Sequence, residues 1–351
     1  MNSCHLCKVV SEEPLRSCGS CKKVSYCSKE CQEKDWKVHK SSCPPFIVKE
    51  SPGKGRGLFA TRRIKEGQVI LEEDPLIIFR RGRSVAEFAN HHYWKLNKDT
   101  KDQILRMHDP AKNFKGLDSK TVDELISKDD VRQLWKEAES PELIKISRIV
   151  CYNSISLKSS DDCGLFSLIC LINHSCNPNS RPTWLNGDSK RQQLRALKTI
   201  EKNEEINVSY KGEVKFQYGT RDLRRQQLYE AMVFLCQCPE CSLEGEALGE
   251  KERMREEIRE KEEKMKILLR QGSGRAMTAT VERLELVKKL DNRITFVFEL
   301  LQVSKLALES RMLGLSAPDP NKFKRKSLDY AKKFSDKDMS IYSDLVDKYG
   351  L

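Results

Sequence analysis

The chain has 351 residues, enough for two or three domains and at least one sizeable hydrophobic core. With 38% hydrophobic and 33% charged residues and a formal net charge of +12, it reads as a polar globular protein with a basic surface. No apolar run reaches the roughly 18–20 residues that a membrane span requires, so no membrane segment is expected. The opening stretch MNSCHLCKVV has no apolar signal core, which predicts a chain that is not secreted. Fourteen cysteines in such a chain are poor disulfide candidates, because cytosol and nucleus keep thiols reduced, and metal binding is the better expectation.

Residues 4–43 hold seven cysteines (Cys4, Cys7, Cys18, Cys21, Cys27, Cys31 and Cys43) together with His39. They fall as C-x2-C, C-x2-C, C-x3-C and H-x3-C. Tetrahedral zinc takes four soft or borderline ligands, and each close pair supplies two, so four pairs predict two zinc ions. A segment of about 40 residues buries too little apolar surface to fold alone, so the metal must supply folding energy. The stretch YCSKECQEKDWKVHKSSC (Tyr26–Cys43) resembles the MYND zinc finger. The resemblance implies an interleaved pairing, with Cys4, Cys7, Cys27 and Cys31 on one zinc and Cys18, Cys21, His39 and Cys43 on the other. It also implies a peptide-binding module whose partners are often proline-containing segments. His5 fits no pair and is assigned to the surface.

Past Pro44-Pro45, the β-branched runs of Phe46–Phe79, broken by Gly and Pro, read as short strands and turns. Residues 80–150 are polar with scattered apolar positions and read as a mostly helical insertion. Strands return from about residue 164: the apolar run SLICLI (Ser167–Ile172) into Asn173-His174, then RPTWL, QQLRALKTI and EEINVSY. From Lys251 to Gln271, Glu/Lys and Glu/Arg pairs at i,i+4 predict a solvated helix. After Gly272-Ser273-Gly274, apolar residues from Val281 to Leu301 recur at helical spacing, and a last helical segment follows Pro318 and Pro320. This tail is expected to pack as a helical scaffold on the preceding part of the chain.

Cys176 is isolated in NHSC, and CQCPEC supplies Cys236, Cys238 and Cys241, three ligands in want of a fourth. Cys176 completes a tetrahedral set and predicts a third zinc. Three zinc ions on eleven thiolates would lower the net charge to about +7, a modest value for this length. A basic surface admits nucleic acid as a partner but does not make it the expected substrate.

Four pieces in order, GKGRGLFA (Gly53–Ala60), NHSCNPN (Asn173–Asn179), EEINVSY (Glu204–Tyr210) and CQCPEC (Cys236–Cys241), resemble the SET-domain lysine methyltransferases. Beside the finger they resemble the SET-and-MYND group in particular. The resemblance covers roughly residues 46–245 and implies an α+β fold. Its parts are an N-terminal MYND finger (1–45), a β-rich SET domain (46–235, with the helical insertion at 80–150), a zinc-bound post-SET segment (236–245) and a C-terminal α-helical region (246–351). Two departures stand out. The finger precedes GKGRGLFA, where the family usually inserts it inside the SET domain. Met232 stands where the family often has an aromatic beside the lysine channel, with Tyr229 nearby.

The implied activity is transfer of a methyl group from S-adenosylmethionine to a protein lysine, histone or non-histone. Glycines at 53, 55 and 57 permit close backbone approach to a ligand, while Lys54 and Arg56 offer cations for its carboxylate. The expected cofactor contacts are Lys54, Gly55, Arg56, Gly57, Leu58, Asn173, His174 (through its backbone), Tyr210 and Phe234, whose ring packs on the adenine. Tyr210 is the expected catalytic residue, orienting the lysine amine. Asn153, Ile155, Ser156, Cys170 and Met232 fall where the family lines its lysine channel. A non-catalytic adaptor, recruiting partners through the finger on a degenerate SET fold, is the alternative. The expected partners are a lysine-bearing protein substrate and proline-containing peptides. The expected state is a monomer in nucleus and cytoplasm.

Overall fold

A computed structural model of the chain describes residues 2–18, 24–80, 93–114, 141–157, 162–184, 190–211, 214–271 and 275–291, and residues 303, 306, 307, 319, 325 and 329. Cys21, parts of the 80–150 insertion and most of the tail after residue 291 lie outside the described residues. Among the described residues, no helix is long and apolar enough to cross a membrane.

The finger is built from two short strand pairs, β1 (Asn2–Ser3) with β2 (Val10–Ser11) and β3 (Arg16–Ser17) with β4 (Ser25–Tyr26), followed by helix α1 (Lys29–Ser42). The Ser28 side chain caps α1 by accepting from the Cys31 amide, which sets that ligand in the first turn. His5 is exposed, as expected, but it is tied to the helix. Its Nδ1 lies 2.8 Å from Asp35 Oδ2, and the same carboxylate oxygen accepts from the Tyr26 hydroxyl at 2.7 Å. This clamps the first knuckle to the helix.

The next strands form a tight hairpin, β5 (Phe46–Ser51) with β6 (Gly55–Ala60), turning through Gly53 (φ +72) and Gly55 (φ +79). Both turn positions are left-handed, where a Cβ is penalised, so the glycines are a backbone requirement. Strands β7 (Val69–Glu73) and β8 (Ile77–Arg80) follow. The described parts of the insertion are helical: α2 (Lys98–Leu105), a 3₁₀ turn (Pro110–Asn113) and α3 (Pro141–Asn153). Strands β9 (Ile155–Ser156), β10 (Asp162–Leu165), β11 (Asn173–His174), β12 (Ser180–Trp184), β13 (Gln192–Ala196) and β14 (Glu205–Val208) complete three small sheets. Their orders are β11-β14-β6-β5, β12-β13-β7 and β8-β10-β9, with β11 parallel to β14.

The run Ser167–Ile172 is not the strand its apolar pattern suggests. It contains a 3₁₀ turn (Ile169–Leu171), and only Asn173 and His174 are extended. The cause lies far away in sequence. The buried Glu73 carboxylate accepts from Ser167 Oγ (2.7 Å), Leu168 N (2.9 Å) and Ile169 N (2.9 Å), giving the turn's free donors a partner no sheet supplies.

One core, including Leu58, Ile64, Phe166, Leu194, Ile200 and Ile206, lies between the sheets; a second joins α2 and α3 through Ile104, Ile146, Ile149 and Tyr93. Helices α4 (Val214–Gln217), α5 (Arg221–Met232), α6 (Gly245–Arg270) and α7 (Arg275–Leu290) follow. Helix α6 docks on the preceding lobe rather than standing free. Ile258 packs in a cluster with Tyr218, and the Arg255 guanidinium meets Glu240 at 2.5 Å.

Candidate active site and metal centres

The four predicted sulfurs of the third zinc site converge. Cys176, at the end of β11, and Cys236, Cys238 and Cys241 bring their Sγ atoms within 4.8 Å of one another, all buried. In the finger, Cys4, Cys7, Cys27 and Cys31 form a second such group, and Cys18, His39 and Cys43 form the described part of a third. Cys21 lies outside the described residues. These donor sets fit zinc on chemical grounds. Crowded sulfurs compete for protons: hydrogen bonding among them drives the Cys176 thiol far up, with Cys236 the largest influence, and drives Cys238 far down. A divalent cation removes that conflict by holding all four as thiolates. Arg224, fully buried, points its Nη2 at Cys241 Sγ (3.7 Å), while Arg225 donates to the carbonyls of Cys236 and Cys241 (both 3.0 Å). Such contacts orient metal ligands and balance excess thiolate charge.

Beside this centre, strands β6, β11 and β14 place the other motif residues together. Asn173 Nδ2 donates to Arg56 O (3.1 Å) and to Glu205 Oε1 (2.8 Å), and Lys54 Nζ reaches Glu205 Oε2 at 2.9 Å. Gly57 sits under this group: a Cβ there would lie 2.6 Å from Glu205 Oε1 and 2.9 Å from Asn173 Nδ2. Its hydrogen is what lets the chain close on these side chains. Burial opposes ionisation of Glu205, but the hydrogen bonds from Asn173 and Lys54 outweigh it and hold the carboxyl below its usual value. Leu58 is wholly buried in the sheet core, so only its backbone can face a ligand.

His174 is a structural histidine. Its ring is buried, Nδ1 accepts from the Tyr210 amide at 3.0 Å, and Nε2 lies 3.4 Å from Cys176 Sγ. Burial pushes its pKa down to about 4, so the imidazole is neutral at physiological pH. The rings of Tyr210 and Phe234 meet edge to face with centroids 6.0 Å apart, and each also flanks His174. Tyr210 is 38% exposed as a residue, yet its hydroxyl turns inward and donates to Ile172 O at 2.8 Å. Burial raises the pKa of that hydroxyl, which is therefore protonated.

The channel residues are placed unevenly. Ile155 and Cys170 pack on the sheet core, and the Cys170 thiol donates to Asn153 O at 3.0 Å. Asn153 uses its own amide to hold His108 O (2.8 Å) and Ile149 O (2.7 Å), a supporting part rather than a lining one. Ser156 is exposed on β9, and Met232 closes α5 two residues before Phe234.

Sequence reasoning passed over two features. Glu205 stood inside a quoted motif without a role. Residues 106–114 stood inside a generic insertion, yet they form a strap fastened to the site. The Arg56 guanidinium donates to Arg106 O, Asn113 Nδ2 donates to Val233 O (3.0 Å), and Asp109 takes a bidentate bond from Arg148 (2.5 and 2.9 Å).

This arrangement, a zinc-type cysteine finger followed by a sheet lobe whose motif residues meet at a second cysteine centre, agrees with the family models. The SET domain model matches residues 55–211 and the MYND finger model residues 4–43. The chain carries a MYND finger followed by a SET domain, the pairing found in the SET-and-MYND (SMYD-like) group. Among its relatives is the N-lysine methyltransferase SMYD2-B of Xenopus laevis, 27% identical over 250 residues, which are 69% of this chain and 51% of that protein. The human histone-lysine N-methyltransferase SMYD3 is 26% identical over 252 residues (68% and 51%). The histone-lysine N-methyltransferase ASHR1 of Arabidopsis thaliana is 26% identical over 236 residues (65% and 44%). The chain thus spans about half the length of the curated relatives it matches.

Proposed function

We propose that the chain is an S-adenosylmethionine-dependent protein-lysine N-methyltransferase, acting on lysines of histone or non-histone proteins in nucleus and cytoplasm as a monomer. The observation that carries this reading is the junction of Asn173, Glu205, Lys54 and Gly57 beside the Tyr210–Phe234 pair. The methyltransferase activities of the relatives support it. The finger is the site for proline-containing peptide partners.

When bound, the cofactor supplies a sulfonium methyl group open to in-line displacement. Lys54, Asn173 and the backbone from Gly55 to Leu58 would hold its amino-acid end, and Phe234 would cover the adenine. Tyr210 does the orienting. Its single proton is committed to Ile172 O, so its oxygen presents only lone pairs to an incoming amine. An amine N–H pointed at that oxygen would fix the direction of the nitrogen lone pair. The amine must be neutral, and at a reference pKa near 10.4 only on the order of one in a thousand is neutral at pH 7. An apolar wall from Ile155 and Cys170, with a positive sulfonium nearby, would lower that pKa.

The test is transfer of labelled methyl from the cofactor to a protein lysate, run beside Tyr210→Phe. The variant should keep cofactor affinity within a few-fold, lose transfer by about 10²-fold or more, and lose stability by only about 1 kcal/mol from the missing bond. No transfer by the metal-replete wild type would leave the adaptor reading. Unchanged transfer in Tyr210→Phe would remove the tyrosine from its role.

A further inference from the structure

We propose that Glu205 is the anion that receives the α-ammonium of the cofactor while Lys54 takes its α-carboxylate. The Lys54–Glu205 ion pair then stands in for an amino-acid zwitterion in the free protein. The inference rests on the cofactor reading above and adds a residue and a charge pattern to it.

The pair joins residues 151 apart in sequence, 2.9 Å Nζ to Oε2, with side chains 31% and 16% exposed. It lies at the mouth of the Gly53–Gly57 turn. The other carboxylate oxygen of Glu205 is held by Asn173, whose amide also bonds Arg56 O, so the carboxylate is fixed in orientation. An ion pair serving only stability has no need of Gly57, yet a Cβ there would lie within 2.6 Å of this carboxylate. The backbone is kept bare beside the Glu205 carboxylate, at the oxygen that Asn173 holds.

Charge balance then selects the ligand. A lone anion arriving at Lys54 would leave Glu205 half-buried and unpaired, and a lone cation would strand Lys54. Either costs desolvation without compensation. A zwitterion exchanges one for one with the internal pair, so every charge has a partner both before and after binding. An α-amino acid end is such a zwitterion.

The test is calorimetric binding to the zinc-replete full chain, wild type and Glu205→Gln. The ligands are S-adenosylhomocysteine, its deamino analogue, and 5′-methylthioadenosine, which lacks the amino-acid end. Glutamine keeps the shape and still accepts from Asn173, so the fold and the turn should persist. Glu205→Gln should weaken S-adenosylhomocysteine roughly 10- to 100-fold, the scale of one charge-assisted bond. It should not weaken the deamino analogue, whose lone carboxylate no longer strands a charge at 205, and should leave 5′-methylthioadenosine within about threefold of wild type. Lys54→Met should weaken both carboxylate-bearing ligands alike. Equal loss for all three ligands in Glu205→Gln would make Glu205 a mere support of the turn, and an unchanged S-adenosylhomocysteine affinity would also overturn the proposal. Failure of the wild type to bind any of the three would instead overturn the cofactor reading, and the inference with it.

Discussion

The strap at residues 106–114 hangs on one buried ion pair, and breaking that pair should unfold more than the strap. Arg148 and Asp109 are each 6% exposed in their side chains, joined at 2.5 Å (Nε to Oδ1) and 2.9 Å (Nη2 to Oδ2). Asp109 Oδ1 also accepts from the Ala111 amide at 3.1 Å, closing the 3₁₀ turn. Asp109→Ala leaves a buried guanidinium without its carboxylate and should cost about 3–5 kcal/mol. At about 2–4 °C per kcal/mol for a chain of this size class, the midpoint should fall by roughly 6–20 °C. Asp109→Leu combined with Arg148→Met removes both charges and keeps apolar volume, so most of that loss should return. The strap would still lose its register, and cofactor affinity should fall even where stability is restored. Thermal unfolding and calorimetry on the two variants separate these effects. A double variant no more stable than Asp109→Ala would refute the desolvation argument, and a single-variant loss under about 1 kcal/mol would show the pair to be solvated in practice. The pH dependence has a definite sign. Burial alone would raise the Asp109 pKa, but the Arg148 bond and charge hold it below the ordinary value. A depressed carboxylate stabilises the fold fully above its unfolded pKa of about 3.9 and loses that contribution as pH falls through the lower folded value.

Elemental analysis of metal-replete protein should find three zinc ions per chain, and Cys176→Ser should remove one of them. The same variant should weaken cofactor binding, because Cys176 follows His174 by two residues and its centre holds Phe234 in place; loss of zinc with unchanged binding would uncouple that centre from the site. Removing residues 1–44 should leave a folded SET lobe that is destabilised by about 1–3 kcal/mol. The deletion strips Arg62 of Cys43 O (2.7 Å) and of the Trp36 ring, 5.8 Å from its guanidinium carbon. An insoluble product would make the finger integral to the lobe, and a fully stable one would make the Arg62 contacts idle.

What could be read from sequence has a common physical basis. A close pair lets one knuckle supply two zinc ligands, so Cys4–Cys7, Cys27–Cys31 and Cys236–Cys238–Cys241 announced themselves by spacing alone. Cys176 could be assigned by elimination, since three clustered thiols lacked a fourth. The glycines of the turn, the i,i+4 pairs of α6 and the apolar face of α7 are likewise local rules written in local sequence. Other features needed the tertiary structure. Glu73 makes a 3₁₀ turn out of the strand-like run Ser167–Ile172 from 94 residues away. Arg148 reaches back 39 residues to Asp109, and Lys54 finds Glu205 across 151. His5, one more residue in a cysteine-rich knuckle, became the partner of Asp35 on the far side of the finger. A carboxylate or guanidinium takes its partner from whatever the packed chain brings within 3 Å, and neither residue type carries a spacing rule that names that partner in advance. The close ligand pairs of the metal centres are therefore a property of short sequence intervals, while the charge pattern beside them exists only once β6, β11 and β14 lie side by side.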